Sequence, residues 1–267
     1  MRRSSCLFVL AAALATQAVL AADAPKAAAL KIDPAIQAAI DSPDRPAADK
    51  QRDEGRRPAI ALQFFGVNPG QTLIEFVATG GVTAELLSRV VGPKGKVYMQ
   101  NVPAFYERPA GPSGKSGKDL VEDRLANNRL PNVVRVDKPL DDLGIAPASV
   151  DGAVMNLVFH DMFWITNDNV APVLKNLYAT LKPGGWVGVI DHAAPAGTGS
   201  EFAKNQRGQH RIDEDFAKKM FADAGFKLVK ESDAMRNPGD DRTKAFFQME
   251  KGTYTDRFMV VFQKPKK

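Results

Sequence analysis

All three histidines of this 267-residue chain stand beside a charge: His160 before Asp161, His192 after Asp191, and His210 before Arg211. Imidazole changes its charge near neutral pH, so a positioned histidine can take a proton from a hydroxyl or an amine. The same residue types also hold divalent ions. Two or three histidines with Asp161 or Asp191 suit Zn, Fe or Cu. No H-x-H or H-x-x-x-H spacing selects the metal, so both chemistries stay open. The candidate catalytic residues are His160, Asp161, His192 and His210. The candidate metal ligands are His160, Asp191, His192 and His210.

The elements that must position them alternate in type. Apolar runs at 72–76, 96–100, 133–136, 150–157, 186–190, 226–231 and 257–263 read as strands. Segments 51–65, 84–91, 119–128, 170–181 and 213–224 carry helical spacing, and Gly92 and Gly225 close two of them. Strands alternating with helices predict an α/β fold, a Rossmann-like doubly wound sheet of about seven strands, mostly parallel. In such a sheet ligands bind beyond the carboxyl ends of the strands. His160 follows the fourth strand, His192 follows the fifth, and His210 precedes the next helix, so all three fall on that rim.

The stretch from Thr72 to Asn101 has the strand–turn–helix–strand layout of a nucleotide-binding half-fold. Its turn keeps Gly80 and Gly81 but has Val77 and Thr79 where glycine is usual. Its second strand ends in Gln100-Asn101, where a ribose site wants an acid. The loop at 103–118 contains Gly114-Lys115-Ser116. It is not a phosphate loop, because Pro109 stands where that motif needs glycine.

Three segments carry a family resemblance: Glu75 with its helix and Val-Gly-Pro-Lys-Gly-Lys-Val-Tyr at 91–98; Leu-Lys-Pro-Gly-Gly-Trp-Val-Gly-Val-Ile-Asp at 181–191; and Ala224-Gly225-Phe226 with Asp256-Arg257-Phe258. From about Arg52 to Pro265 the chain resembles class I S-adenosylmethionine-dependent methyltransferases, and among them an exported bacterial group. The resemblance implies an antiparallel last strand and a small-molecule substrate. It also implies S-adenosylmethionine as cofactor, with Glu75, Gly80, Gly81, Asn101 and Asn156 around it and His160 or His192 as base. Val77, Thr79 and Asn101 depart from the family's pattern. The alternative is therefore a repurposed fold with a degenerate cofactor loop, working as a non-methylating enzyme or a metal- or ligand-binding protein through the histidine rim.

Residues 1–22 read as a secretory signal peptide: a short basic start, an apolar run, and cleavage after Ala21 or Ala22. Residues 23–50 read as a linker with one short helix, and 51–267 as the methyltransferase-like domain. The location expected is the periplasm or the outside, with no membrane contact after cleavage. The only cysteine, Cys6, lies in the leader, so no thiol or disulfide is expected in the mature chain. The net charge of +5, part of it from Arg2 and Arg3, is too small to imply a nucleic acid partner.

Overall fold

The computed structural model describes residues 31–107, 114–250 and 252–267. The expectations for the leader, for Cys6 and for Pro109 lie outside the described residues. In chain order the helices are α1 (Pro34–Asp41), α2 (Ala47–Lys50), α3 (Asp53–Arg56), α4 (Pro58–Phe65), α5 (Val82–Val91), α6 (Pro103–Tyr106), α7 (Gly117–Leu125), α8 (Asp161–Ile165), α9 (Ala171–Thr180) and α10 (Glu214–Asp223). The strands are β1 (Thr72–Glu75), β2 (Lys96–Asn101), β3 (Val133–Asp137), β4 (Val150–Asn156), β5 (Leu181–His192), β6 (Lys227–Ser232) and β7 (Arg257–Gln263).

The seven strands form one sheet in the order β3-β2-β1-β4-β5-β7-β6. Pairs β1–β2, β2–β3, β1–β4 and β4–β5 are parallel, and β7 runs antiparallel to both β5 and β6. The strand order reverses between β1 and β4, which makes their carboxyl ends the topological switch point. The central strands β1, β4, β5 and β7 bury both faces, because successive side chains point to opposite sides and both sides are covered. On β1, Leu73 and Ile74 enter different hydrophobic layers. On β7, Phe258, Val260 and Phe262 join one layer, and Met259 and Val261 the other. Strand β6 is the exposed edge, where Lys227, Lys230 and Glu231 make strand addition unfavourable.

Three expectations need correction. Residues from Ile32 onward are not a linker, since they belong to the same compact unit as the sheet. Ile36 and Ala39 of α1 are buried in the layer that contains α5. Arg45 is also buried, held by Asp53 in a two-pronged pair at 2.7 and 2.8 Å. The helical spacing at 51–65 is broken into α3 and α4 at Arg57, which adopts a left-handed backbone. The loop expected to run to 118 ends at Ser116, whose side chain and Asp119 form a reciprocal cap for α7. Among the described residues no helix is long and apolar enough to cross a membrane.

Candidate functional site

The carboxyl ends of β4 and β5 bring the three histidines together. His160 follows β4 at the start of α8. Its backbone amide donates to Asp191 Oδ2 at 2.8 Å, and its Nδ1 lies 2.6 Å from Asp191 Oδ1. Asp191 also accepts the His192 amide at 2.7 Å. With no exposed surface, this carboxylate is given over to orienting His160. The other nitrogen of His160, Nε2, stands 3.2 Å from His210 Nδ1 and 3.2 Å from Asp161 Oδ1. His210 Nδ1 is 3.1 Å from that same oxygen. His210 Nε2 donates to the Gln206 carbonyl at 2.7 Å, and the Trp164 indole donates to Asp161 Oδ1 at 2.9 Å. His192 points elsewhere: its Nδ1 is 2.5 Å from Thr255 Oγ1, and its ring stacks on Phe246 at 5.4 Å.

A cavity of ≈ 440 Å³ opens over this cluster, lined by the three histidines, Asp161, Trp164, Phe246 and three arginines. Arg52 and Arg56 lie one helical turn apart around α3. Arg257 begins β7, directly opposite His192 in the sheet register. Arg257 Nη1 donates to the Gly55 carbonyl at 2.7 Å and has no carboxylate partner among the described residues. Arg56 has none either. Burial, helped by the charges of Arg52 and Arg257, brings Arg56 down to about 10. Guanidiniums crowded together without counterions make a site for an anion.

The histidines differ sharply in electrostatics. Burial works against a charge on His160, but Asp161 and Asp191 outweigh it and raise the ring to about 10. Burial also opposes the Asp161 charge, yet His160 and the hydrogen bonds around it hold the carboxyl far below its usual range. Burial, followed by the charges of His160, Arg257 and Arg211, pushes His192 well below the ordinary imidazole value. His192 therefore lines the cavity as a neutral imidazole.

The turn after β1 is bound up with protein. Gln100 Oε1 accepts from the Val77 amide at 3.0 Å, and Gln100 Nε2 donates to the Lys138 carbonyl at 2.8 Å. Asn101 Oδ1 accepts from the Thr79 amide at 2.8 Å, and its amide nitrogen turns back to the Thr79 carbonyl. Val77 and Thr79 take φ of 47° and 50°, where β-branched residues are rare and strained. Above the glycines lies α7. A Cβ on Gly80 would meet Leu120, and one on Gly81 would meet Met99 Sδ at 2.6 Å. Arg124 Nε donates to the Gly80 carbonyl at 2.5 Å. Asn156 donates to Thr83 at 3.2 Å.

Glu75 is buried at the end of β1, and its Oε2 has no hydrogen-bond partner among the described residues. Burial raises it from 4.5 to about 7, against hydrogen bonding from Thr83 and the Ala84 amide. A carboxyl raised on folding binds its proton more tightly in the folded state. Its stabilising contribution is full below the unfolded value and is lost as pH rises through about 7. Relative to wild type, Glu75→Gln should gain about 3 kcal/mol of stability between about pH 4 and about pH 8. Urea melts of both proteins across that range check this, and a pH-independent difference would exclude it.

The sheet order, with β7 inserted antiparallel between β5 and β6, matches solved structures over most of the chain. A SAM-dependent methyltransferase from Aquifex aeolicus aligns with TM-score 0.56 and 20% identity, covering 82% of this chain and 98% of that one. A putative methyltransferase from Bacillus halodurans aligns with TM-score 0.55 and 16% identity, covering 78% and 98%. The [4+2]-cyclase SpnF aligns with TM-score 0.59 and 14% identity, covering 84% and 85%. This is the class I methyltransferase fold. No protein-family model matches the chain.

On that methyltransferase fold, the residues expected to do chemistry separate into two groups. His160, Asp161 and His210 converge on one point. Asp191 and His192, expected as ligands, do not join them, because Asp191 is committed to the far nitrogen of His160 and His192 faces Thr255. Arg211, beside His210 in the chain, is fully buried and paired with Asp240. Arg207 is exposed. Arg52, Arg56 and Arg257 were not expected in the site. The i, i+4 spacing on α3 was visible in the sequence, but only the β5–β7 register places Arg257 beside His192.

Proposed function

We propose that this chain uses the methyltransferase fold without the methyl donor. It is an exported protein that binds and transforms a small anionic molecule in the cavity of His160, His192, His210 and Arg56. The observation that carries this reading is Asn101, 1% exposed, with both ends of its amide turned to the backbone of Thr79. The family's acid at that place would accept from ribose hydroxyls. A neutral amide already bonded to its own loop has too little acceptor capacity left for both hydroxyls, and the missing charge alone is worth roughly tenfold in affinity. With Leu120 and Arg124 over Gly80 and Gly81, these residues do not fit S-adenosylmethionine. In this reading the chain is exported unfolded and leaves cytosolic cofactors behind. The fold also carries other chemistry, because one protein sharing it is a [4+2]-cyclase.

In this reading His192 is the base, neutral and facing the cavity, and the arginines orient the substrate's negative group. The partner is a small molecule, with neither nucleic acid nor membrane involved. The second reading is methyl transfer from S-adenosylmethionine to the same molecule. It draws on Glu75, which keeps an unpartnered oxygen at the family's motif position. Titration calorimetry separates the two. We expect no saturable heat from S-adenosylmethionine or S-adenosylhomocysteine up to millimolar concentration. Micromolar binding of either would restore the methyltransferase reading.

A further inference from the structure

We propose that His160 Nε2, Asp161 Oδ1 and His210 Nδ1 form a binding site for one divalent first-row transition-metal ion. The three atoms make a nearly equilateral triangle with sides of 3.2, 3.2 and 3.1 Å. Ligand atoms about 2.1 Å from a common ion stand roughly 3.0–3.4 Å apart in octahedral or tetrahedral coordination. The triangle therefore has the size of one face of a metal polyhedron before any ion is placed in it.

The surrounding hydrogen bonds point the same way. A metal-bound histidine donates its other N–H to a carboxylate or a carbonyl, which fixes the tautomer. Here His160 Nδ1 meets Asp191 and His210 Nε2 donates to the Gln206 carbonyl. Binding an ion displaces the proton that His160 otherwise holds on Nε2, and each assignment then leaves a lone pair on the nitrogen that faces the triangle. The Trp164 indole steadies the Asp161 oxygen in the same way. Two imidazole lone pairs and a carboxylate oxygen aimed at one point are an arrangement a cation satisfies. Two histidines and one carboxylate on one face leave the opposite face open, and here the cavity with Arg56 and Arg257 adjoins the triangle. An anion held by those arginines is placed to complete the coordination. The inference rests on the proposed function only in taking this cavity as the working site.

The test uses the mature chain purified without a histidine tag, stripped with a chelator, and titrated with Co(II) alone and with Zn(II) alone. We expect one ion per chain, with the visible absorption of a cobalt site. His210→Ala and Asp161→Asn should each weaken binding at least a hundredfold. Asp191→Asn should weaken it about 10–100-fold, and His192→Ala should leave it unchanged. Asp161 and His210 are partly exposed, so circular dichroism and melting of their variants show whether the fold survives. Failure of the wild-type chain to bind either ion would overturn the site. So would equal affinity in folded His210→Ala and Asp161→Asn. If the ion binds and S-adenosylmethionine binds as well, the proposed function fails and the metal site stands. If neither binds, the metal site alone falls.

Discussion

Arg211→Ala is expected to destabilise the protein by about 3–5 kcal/mol, because it leaves a buried carboxylate without its countercharge. The Arg211 side chain is fully buried. It grips Asp240 through two nitrogens at 2.7 and 3.1 Å, and it donates to the carbonyls of Ala193 at 2.9 Å and Lys244 at 2.6 Å. Those contacts tie the end of β5 to the segment that carries Phe246. Asp240 is held below its ordinary value; burial opposes this, and Arg211 with the amides of Asp256 and Arg242 outweighs it. Urea unfolding at neutral pH measures the loss. The double variant Arg211→Met with Asp240→Leu should recover part of it, because no charge is then left unpaired. A loss under about 1 kcal/mol in Arg211→Ala would mean that the pair with Asp240 contributes little to the fold.

Inorganic phosphate should stabilise the wild-type chain against heat, and Arg56→Gln should weaken that binding roughly 10–100-fold. One charge-assisted hydrogen bond is worth about 1.5–3 kcal/mol, and ligand that binds only the folded state raises the melting temperature by mass action. The effect is large at Arg56 because its guanidinium is mostly buried, has no carboxylate partner among the described residues, and lies near two further arginines. An anion there relieves repulsion as well as making a bond. Arg207→Gln is the control, since Arg207 is exposed and does not line the cavity. Phosphate curves that coincide for wild type and Arg56→Gln would remove the anion site, whatever the status of the metal.

The two sites were legible in the sequence to different degrees. Val77, Thr79 and Asn101 announced a departure from a glycine-rich cofactor turn by residue type alone, since a Cβ at a left-handed position is a local conflict. What occupies the turn was not legible. Leu120 and Arg124 come from a helix some forty residues further on, and their contact with Gly80 depends on how α7 packs. Likewise, the three histidines were placed on one rim by counting strands. Their roles came from pairings across the sheet: His160 with Asp191 across β4 and β5, and His192 with Arg257 across β5 and β7.

By itself the sequence determined the alternation of strands and helices, the parallel order and the rim, because these follow from local periodicity and from the carboxyl-end rule for open sheets. It also placed Val77, Thr79 and Asn101 where the resemblance leads one to expect glycines and an acid. Only the tertiary structure decided that Asn101 closes the turn, that Arg211 is a buried strut and Arg56 a free cation in the cavity, and that His160, Asp161 and His210 meet while Asp191 and His192 stand aside. Those outcomes depend on contacts between residues as far as 22 to 202 positions apart. No periodicity carries that information; it comes from the register of the sheet and the packing of α3, α7 and the β7 strand against it.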